Sequence, residues 1–281
     1  MLTETPSSSK FSPIDLGLTD RVALITAGAN GIGEGSAIAL ARFGAHVVIA
    51  DIDVENGERV AAAIRGCGRE SLFVAMDAMD VGQVQAAVAA TAQRFGRLDV
   101  LVNNAGGVRP RPFLEQNERN WRRIIDLNFV SMLAATQAAA RQMIGGRRGG
   151  AIVNVASSES FRAAPHYSVY AACKAGMLEF TKTMALELAE YGIRVNAIAP
   201  DAIDTPGIRS PADTSSEISA MRTRHVPMQR FASIHEAGAT VAFLASSLAS
   251  FVTGTTLPVD GGIVAAGGWV RAKDGGWGFG V

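Results

Sequence analysis

Short apolar runs recur along the chain, separated by longer stretches in which apolar residues return at a helical period. The runs Val22–Thr26, His46–Ala50, Leu72–Met76, Val100–Asn103, Ala151–Val155, Ile193–Ala199 and Thr256–Val259 are mostly Val, Ile, Leu and Ala at their centres, with little alternation. Strands covered on both faces have this character, so the runs predict a parallel sheet buried under helices. Within Asp80–Phe95, Val81, Val84, Val88 and Ala92 recur at helical spacing. Ser233-Ile-His-Glu236 has the form of a capping box ahead of an apolar helix that reaches Leu244. Asn117–Met143 and Ser168–Tyr191 predict two long helices. Strand–helix alternation with right-handed crossovers gives an α/β, doubly wound, mostly parallel seven-stranded sheet with helices on both faces, in a single domain.

The ends and one internal stretch break this rhythm. Residues 1–18 are polar, lack the apolar centre of a secretory signal, and predict a flexible arm. Residues 204–228 are rich in Pro, Ser, Thr and Arg and predict a lid. Residues 265–281 form a Gly-rich tail with Trp269, Trp277 and Phe279, expected to fray, pack on a neighbouring subunit or help close a pocket. No segment is long and apolar enough to span a membrane. Lys plus Arg and Asp plus Glu are equal at 26 each, which argues against a nucleic-acid surface or a polybasic membrane anchor. The two cysteines, Cys67 and Cys173, lie in no CxxC or Cys/His cluster, so neither a disulfide framework nor a metal site is expected. A cytoplasmic protein fits this usage.

Candidate chemistry sits at the ends of the apolar runs. The first run leads into Thr26-Ala27-Gly28-Ala29-Asn30-Gly31-Ile32-Gly33 and then a helix, where a pyrophosphate could meet free N–H groups. Asp51 closes the second run. There it can bind both ribose hydroxyls of NAD and repel a 2′-phosphate, or simply cap the next turn. Asp77 follows the third run, near an adenine or in an ordinary loop, and Asn103-Asn104-Ala105-Gly106 ends the fourth. Tyr170 and Lys174 stand one helical turn apart on one face. A neighbouring ammonium and a positively charged nicotinamide both favour the phenolate and lower its pKa, which would let Tyr170 act as acid or base near neutral pH; taken alone, the two residues read as a helix-surface pair. Ser157 precedes Tyr170 by thirteen residues and could hold a substrate oxygen, or form a turn. Asn128 lies among Ile124, Ile125, Leu127 and Phe129; it must find partners if buried, could bend its helix, or could face solvent.

Taken together and in order, these elements resemble the classical short-chain dehydrogenase/reductase family from about Arg21 to Gly262. The resemblance also draws on Arg194-Val-Asn-Ala-Ile-Ala-Pro200, Thr253-Gly254 and Val259-Asp-Gly-Gly262. It implies a Rossmann-like catalytic domain over residues 19–264 and an oxidoreductase that interconverts a secondary alcohol and a ketone. It implies Tyr170 as proton donor and acceptor, Lys174 on the nicotinamide ribose, Ser157 on the substrate oxygen and Asn128 in a proton relay. It places the cofactor, NAD, along Thr26, Gly28, Asn30, Gly31, Ile32 and Gly33, then Asp51, Ile52, Asp77 and Ala78. The path continues over Asn104, Ala105 and Gly106 to Tyr170, Lys174, Pro200, Ile203 and Thr205. Family members are often tetramers, so a homotetramer or homodimer is expected. An NADPH-dependent ketoacyl or polyol reductase and a non-catalytic dinucleotide sensor are the rival readings.

Two residues depart from the family pattern. Ala27 stands where Gly is usual, with local adjustment expected, and Asp201 follows Pro200 where Gly is usual. Substrate contacts are expected from Ser157, Tyr170, Glu159 and His166. Phe161 and Tyr167 could form an apolar wall. Arg109, Arg111, Arg209, Arg222 and Arg224 could meet a carboxylate or phosphate, be solvated, or pair within an oligomer.

Overall fold

The computed structural model describes residues 16–207, 223–272 and 275–279. Seven strands form one parallel sheet: β1 (Val22–Thr26), β2 (His46–Asp51), β3 (Ser71–Ala75), β4 (Val100–Asn103), β5 (Gly150–Val155), β6 (Ile193–Pro200) and β7 (Thr256–Val259). Their spatial order is β3-β2-β1-β4-β5-β6-β7. The apolar runs end where the strands do, to within one residue at most ends. Each central strand carries Val, Ile, Leu or Ala on both faces, and both faces are buried.

Helices α1 (Gly31–Arg42), α2 (Val54–Gly66) and α7 (Ile234–Ala245) lie on one face; α3 (Val81–Phe95), α5 (Ser131–Gly146) and α6 (Ser168–Glu187) lie on the other. Asp80 caps α3, accepting from the Gln83 N–H at 3.1 Å. The Ser233/Glu236 capping box opens α7 as its sequence predicts. The α7 C-terminus is closed by Arg194, which reaches across from β6 to the carbonyls of Leu244 (2.7 Å) and Ser246 (3.1 Å). A cation there offsets the negative end of the helix.

The expected single helix over 117–143 is divided. An α-helical α4 (Glu118–Ile125) passes into one π turn, Asp126–Val130, before α5 begins. The cause is Asn128, whose side chain is fully buried and donates to the Ile124 carbonyl at 2.9 Å. An insertion of this kind widens the ladder locally and marks functional positions in helices. The other long helix ends at Glu187 and is followed by a 3-10 turn, Ala189–Tyr191.

Polar side chains inside the sheet are linked to one another, although the Asn103 Oδ1 itself has no partner. Asn103 on β4 and Asn154 on β5 are register partners joined at 2.8 Å; they extend to Thr136 on α5 and Thr181 on α6, both at 2.9 Å. At the opposite edge, buried Asp99 accepts from the Val22 N–H and from Arg21 and Arg97.

Beyond β7, α8 (Ile263–Ala266) leads into a hairpin of β8 (Trp269–Arg271) and β9 (Trp277–Phe279). In it Trp269 meets Phe279 edge-on at 5.7 Å, and Arg271 stacks over Trp277 at 4.2 Å. The tail is therefore structured over these residues. The expected arm lies almost wholly outside the described residues, as do 208–222 of the expected lid, with Arg209 and Arg222. No helix among the described residues is long and apolar enough to cross a membrane.

α1 and α7 cross at their closest where Gly35 faces Gly238. A Cβ on Gly35 would lie 2.1 Å from the Ile234 carbonyl oxygen, and one on Gly238 would lie 2.2 Å from the Gly35 oxygen. Neither obstacle is a flexible side chain, so the helices must separate to admit a methyl group. Gly238→Ala is expected to lower the unfolding free energy by about 1–3 kcal/mol, the usual cost of overpacking. Urea denaturation checks this, and a midpoint equal to the parent's would show that the crossing tolerates the methyl group.

Candidate active site

β1 and β4 are neighbours, yet the chain leaves β1 for one face of the sheet and β4 for the other. Where strand order reverses in this way the loops diverge and leave a crevice at the C-terminal edge. Here it is a cleft of about 490 Å³, lined by loops that follow β1, β2, β4, β5 and β6.

The glycine turn forms one end. Ala27, Asn30, Gly31 and Ile32 reach the cleft wall, whereas Thr26, Gly28, Gly33 and Ala105 lie behind it. Thr26 is a structural knot: its hydroxyl accepts the N–H groups of Asn104 and Ala105, both at 3.1 Å. Asn104 returns its amide to the Ala27 carbonyl at 2.7 Å. Gly33 lets α1 close on this knot, since a Cβ there would sit 2.3 Å from the Ala27 oxygen. Ala27 has a φ of 52°, in the left-handed region that glycine normally occupies, so the turn carries strain at this alanine.

Asn30 occupies the N-cap of α1 but gives its side chain away, donating to Asp53 at 3.0 Å. The first turn of α1 thus keeps N–H groups free of any side-chain cap, facing the cleft at Gly31 and Ile32. Asp51 also lines the cleft. Its two oxygens accept from the backbone of Ala29 (2.9 Å) and Asp53 (3.0 Å). Each oxygen retains capacity for a further donor. Uncapped helix N–H groups and a carboxylate one strand away fit the diphosphate and the ribose of a dinucleotide. Ile52 is exposed and, like Asp77 and Ala78, does not line the cleft; Asp77 turns back to accept from the Met79 N–H at 2.9 Å.

The other end holds the polar side chains expected to carry chemistry. Ser157, Tyr170 and Lys174 line the cleft together, with Asn104 and Gly106 opposite. Ser157 stands beside Tyr170 and favours its ionised form, and the Ser157 oxygen accepts the Glu159 N–H at 3.2 Å. Lys174 is buried and donates to the Val155 carbonyl at 2.7 Å. That carbonyl, the end of β5, is a partner with no signal in the sequence. Burial lowers the Lys174 pKa to about 8. Its ammonium lies 5.7 Å from the centre of the Tyr170 ring.

Asn128 is buried rather than solvent-facing. It holds Gly107 from both sides, accepting its N–H and donating to its carbonyl, each at 2.9 Å. The loop can pass because Gly106 has no side chain; a Cβ there would meet Asn128 Oδ1 at 2.9 Å and Lys174 Nζ at 3.1 Å. Two residues expected to act together, Asn128 and Lys174, thus converge on one glycine.

The Tyr170 pKa is raised, first by burial, with Glu159 and Asp201 adding to the effect and Ser157 opposing it. Desolvation disfavours the phenolate more than the protein's own groups favour it.

Asp201 accounts for part of that field. It accepts from Ser158 through a short hydrogen bond and from Arg162 at 2.8 Å, and Arg162 also binds Glu159 at 2.9 Å. The residue needs no glycine conformation, since its φ is not positive; the left-handed position has moved to Ala202 (φ 47°). Glu159 is thus engaged with Arg162. His166 does not line the cleft and gives its carbonyl to the Arg111 N–H at 3.0 Å. Pro200, Ile203 and Thr205 line the cleft beside Asp201.

Comparison with known proteins fits this geometry. A family model described as enoyl-(acyl carrier protein) reductase matches residues 26–264. The chain is 41% identical over 248 residues to a cis-4-hydroxycyclohexanecarboxylate dehydrogenase of Sinomonas cyclohexanicum, covering 88% of this chain and 97% of that one. Among solved structures, a short-chain type dehydrogenase/reductase from Mycobacterium marinum aligns with a TM-score of 0.83 at 32% identity, over 89% of this chain and 97% of that one. A gluconate 5-dehydrogenase from Burkholderia cenocepacia, solved with NADP and tartrate, aligns at 0.83 and 34% identity, over 90% and 98%.

Burial of the Lys174 ammonium sets a pH dependence. Its pKa is near 8 when folded against 10.5 for a solvated lysine, so between these the unfolded chain binds the extra proton. Stability should therefore gain a component as pH rises from about 8 to 10.5, and none from this group below that window. Chemical denaturation of ligand-free protein across this range should show the gain in the parent and not in Lys174→Met. Parallel curves for the two would show that the ammonium is solvated.

Proposed function

The chain belongs to the short-chain dehydrogenase/reductase family of oxidoreductases, and on that premise we propose that it interconverts a secondary alcohol and a ketone with NAD(H). The observation that carries the proposal is one cleft holding Ser157, Tyr170 and Lys174 at one end and Asp51 with the uncapped start of α1 at the other. A structural helix-surface pair would not need a buried ammonium at the second position.

When bound, the dinucleotide supplies the hydride acceptor and a positive charge beside Tyr170. The protein's residues do the rest. The Ser157 hydroxyl holds the substrate oxygen against Tyr170, and the Tyr170 oxygen accepts its proton in alcohol oxidation or donates one in ketone reduction. Lys174 spends one of its three donors on Val155 and has two left for the nicotinamide ribose. Its ammonium opposes the burial that keeps Tyr170 protonated. Asn128 fixes the Gly106–Gly107 backbone and retains acceptor capacity for a relay water.

NAD is favoured over NADP by charge. Asp51 presents a carboxylate where a 2′-phosphate would sit. The nearest guanidinium, Arg59, which reaches the Ala29 carbonyl at 3.3 Å, is held by both oxygens of Glu34 at 2.7 and 2.9 Å. The NADP-bound neighbour keeps NADPH-dependent reduction as the alternative. A homotetramer or homodimer in the cytoplasm, acting on a small secondary alcohol or ketone, is part of the same reading.

Three measurements test it. Initial rates on a panel of secondary alcohols and ketones should be faster with NAD(H) than NADP(H). Tyr170→Phe should remove turnover while NADH binding, read by fluorescence, is kept. Near-normal turnover in that variant would sink the assignment. The third concerns Asp201, whose charge raises the Tyr170 pKa. Its loss favours the phenolate, and the phenolate is the form alcohol oxidation needs. In Asp201→Gly the acidic limb of the kcat/KM profile should therefore move to lower pH; an unmoved or higher limb would show that Asp201 does not act on Tyr170.

A further inference from the structure

The catalytic cleft does not end at Gly107. Gly107 and Val108 also form one wall of a second cavity, about 640 Å³, between the loop that follows β4 and the face formed by Asn120 and Arg123 of α4 with Leu127 of the π turn. Arg109 and Arg111 enter this annex from the loop and Arg123 from the helix. Among the described residues none of these three guanidiniums meets a carboxylate. Arg122, the neighbour of Arg123, is by contrast paired with Glu118 at 2.6 Å.

Three like charges around one cavity repel one another, and a disordered loop would let them spread. This loop is pinned. The Arg111 N–H bonds the His166 carbonyl at 3.0 Å, and Gln116 donates to the Arg111 carbonyl at 2.9 Å. Asn128 grips Gly107 by both backbone groups, so the wall shared by the two cavities is fixed to the same side chain that reaches Lys174's neighbourhood. Charge on the other side of the cleft has the opposite sign. There Glu159 and Asp201 place two carboxylates against the single guanidinium of Arg162.

We propose that this annex seats an oxyanion carried by the substrate, and that the substrate is a secondary alcohol or ketone with a carboxylate at the end remote from the reacting oxygen. The proposal rests on the function argued above for the reacting end and adds the recognition of the other. Forked guanidinium donors match the two oxygens of a carboxylate, and the opposite wall would repel one. A phosphate shares this chemistry and is distinguished in the test.

The test reads binding without turnover. Protein with and without saturating NADH is titrated by calorimetry with cyclohexanecarboxylate, cyclohexyl phosphate and neutral cyclohexanecarboxamide, none of which carries a reactive hydroxyl. The carboxylate should bind about tenfold or more tightly than the amide, as expected for charged hydrogen bonds, and weaken as salt is added. Arg109→Gln/Arg123→Gln, its fold checked by thermal midpoint, should lose about that factor for the carboxylate and nothing for the amide. In kinetics the double variant should raise KM for a hydroxycyclohexanecarboxylate with kcat kept, and leave cyclohexanol unchanged. Equal binding of carboxylate and amide, or full affinity in the double variant, overturns the proposal. Tighter binding of cyclohexyl phosphate, lost in the same variant, keeps the oxyanion seat and overturns its assignment to a carboxylate. Failure of NADH to bind, or of every alcohol to turn over, counts instead against the function and leaves the anion titration readable.

Discussion

Two adjacent parallel strands that send their chains to opposite faces of the sheet create the space on which everything else depends. β1 turns towards α1 and β4 towards the opposite face, so their loops must diverge from a common edge. Divergence alone would leave two floppy ends. The Thr26 hydroxyl and the Asn104 amide tie them together across the gap, each serving the other strand's backbone. This knot explains which small residues are obligatory. Gly33 must lack a side chain because α1 closes directly on the knot, and Gly106 because Asn128 and Lys174 close on it from the other side. Ala27, by contrast, has space but an unfavourable φ, a strain that the surrounding bonds hold in place.

The same edge explains how a buried ammonium is tolerated. Lys174 finds one carbonyl, that of Val155, at the end of β5 just ahead of Ser157. One bond does not replace the hydration of an ammonium, and the depressed pKa measures the deficit. A purely structural position would relieve that deficit with an apolar residue. The deficit is useful if donors must be left over for a ligand. Asn128 follows the same logic with the opposite outcome. The π turn frees a carbonyl at Ile124, and the Asn128 amide both satisfies it and fixes the loop. Local irregularity in the helix is thus balanced inside the site.

The sheet was legible in the sequence because strands buried on both faces must be continuously apolar, and nothing competes with that requirement. The α7 capping box was legible for a similar reason, since its partners are three residues apart. The break in the helix over 117–143 had one sign, a polar Asn128 among apolar neighbours, but periodicity could not say whether it bent the helix. Ser157, Tyr170 and Lys174 were assembled by order and spacing along the chain. Their environment was not, because burial and charge come from residues distant in sequence. The groups that raise the Tyr170 pKa were hidden for this reason: its ammonium neighbour was visible four residues on, whereas Asp201 and the burying walls were not. Arg123 was missed because a helix-surface arginine has no distinguishing pattern until a loop is folded over it.

Asp201 shows how one departure from a family pattern acquires meaning only from the fold. A glycine at that point would leave Arg162 facing Glu159 alone, a matched pair. With Asp201 present, Arg162 bridges the loops after β5 and β6, and Ser158 is drawn into the same group. The wall then carries two carboxylates for one guanidinium, and Tyr170 beside it feels their excess. The cleft is left polarised, with surplus negative charge on the Asp201 wall and surplus positive charge beyond Gly107. A neutral substrate is indifferent to such a gradient, whereas one that is anionic at a single end enters in one orientation. Orientation by charge sets which carbon faces the hydride and therefore acts on selectivity as well as on affinity.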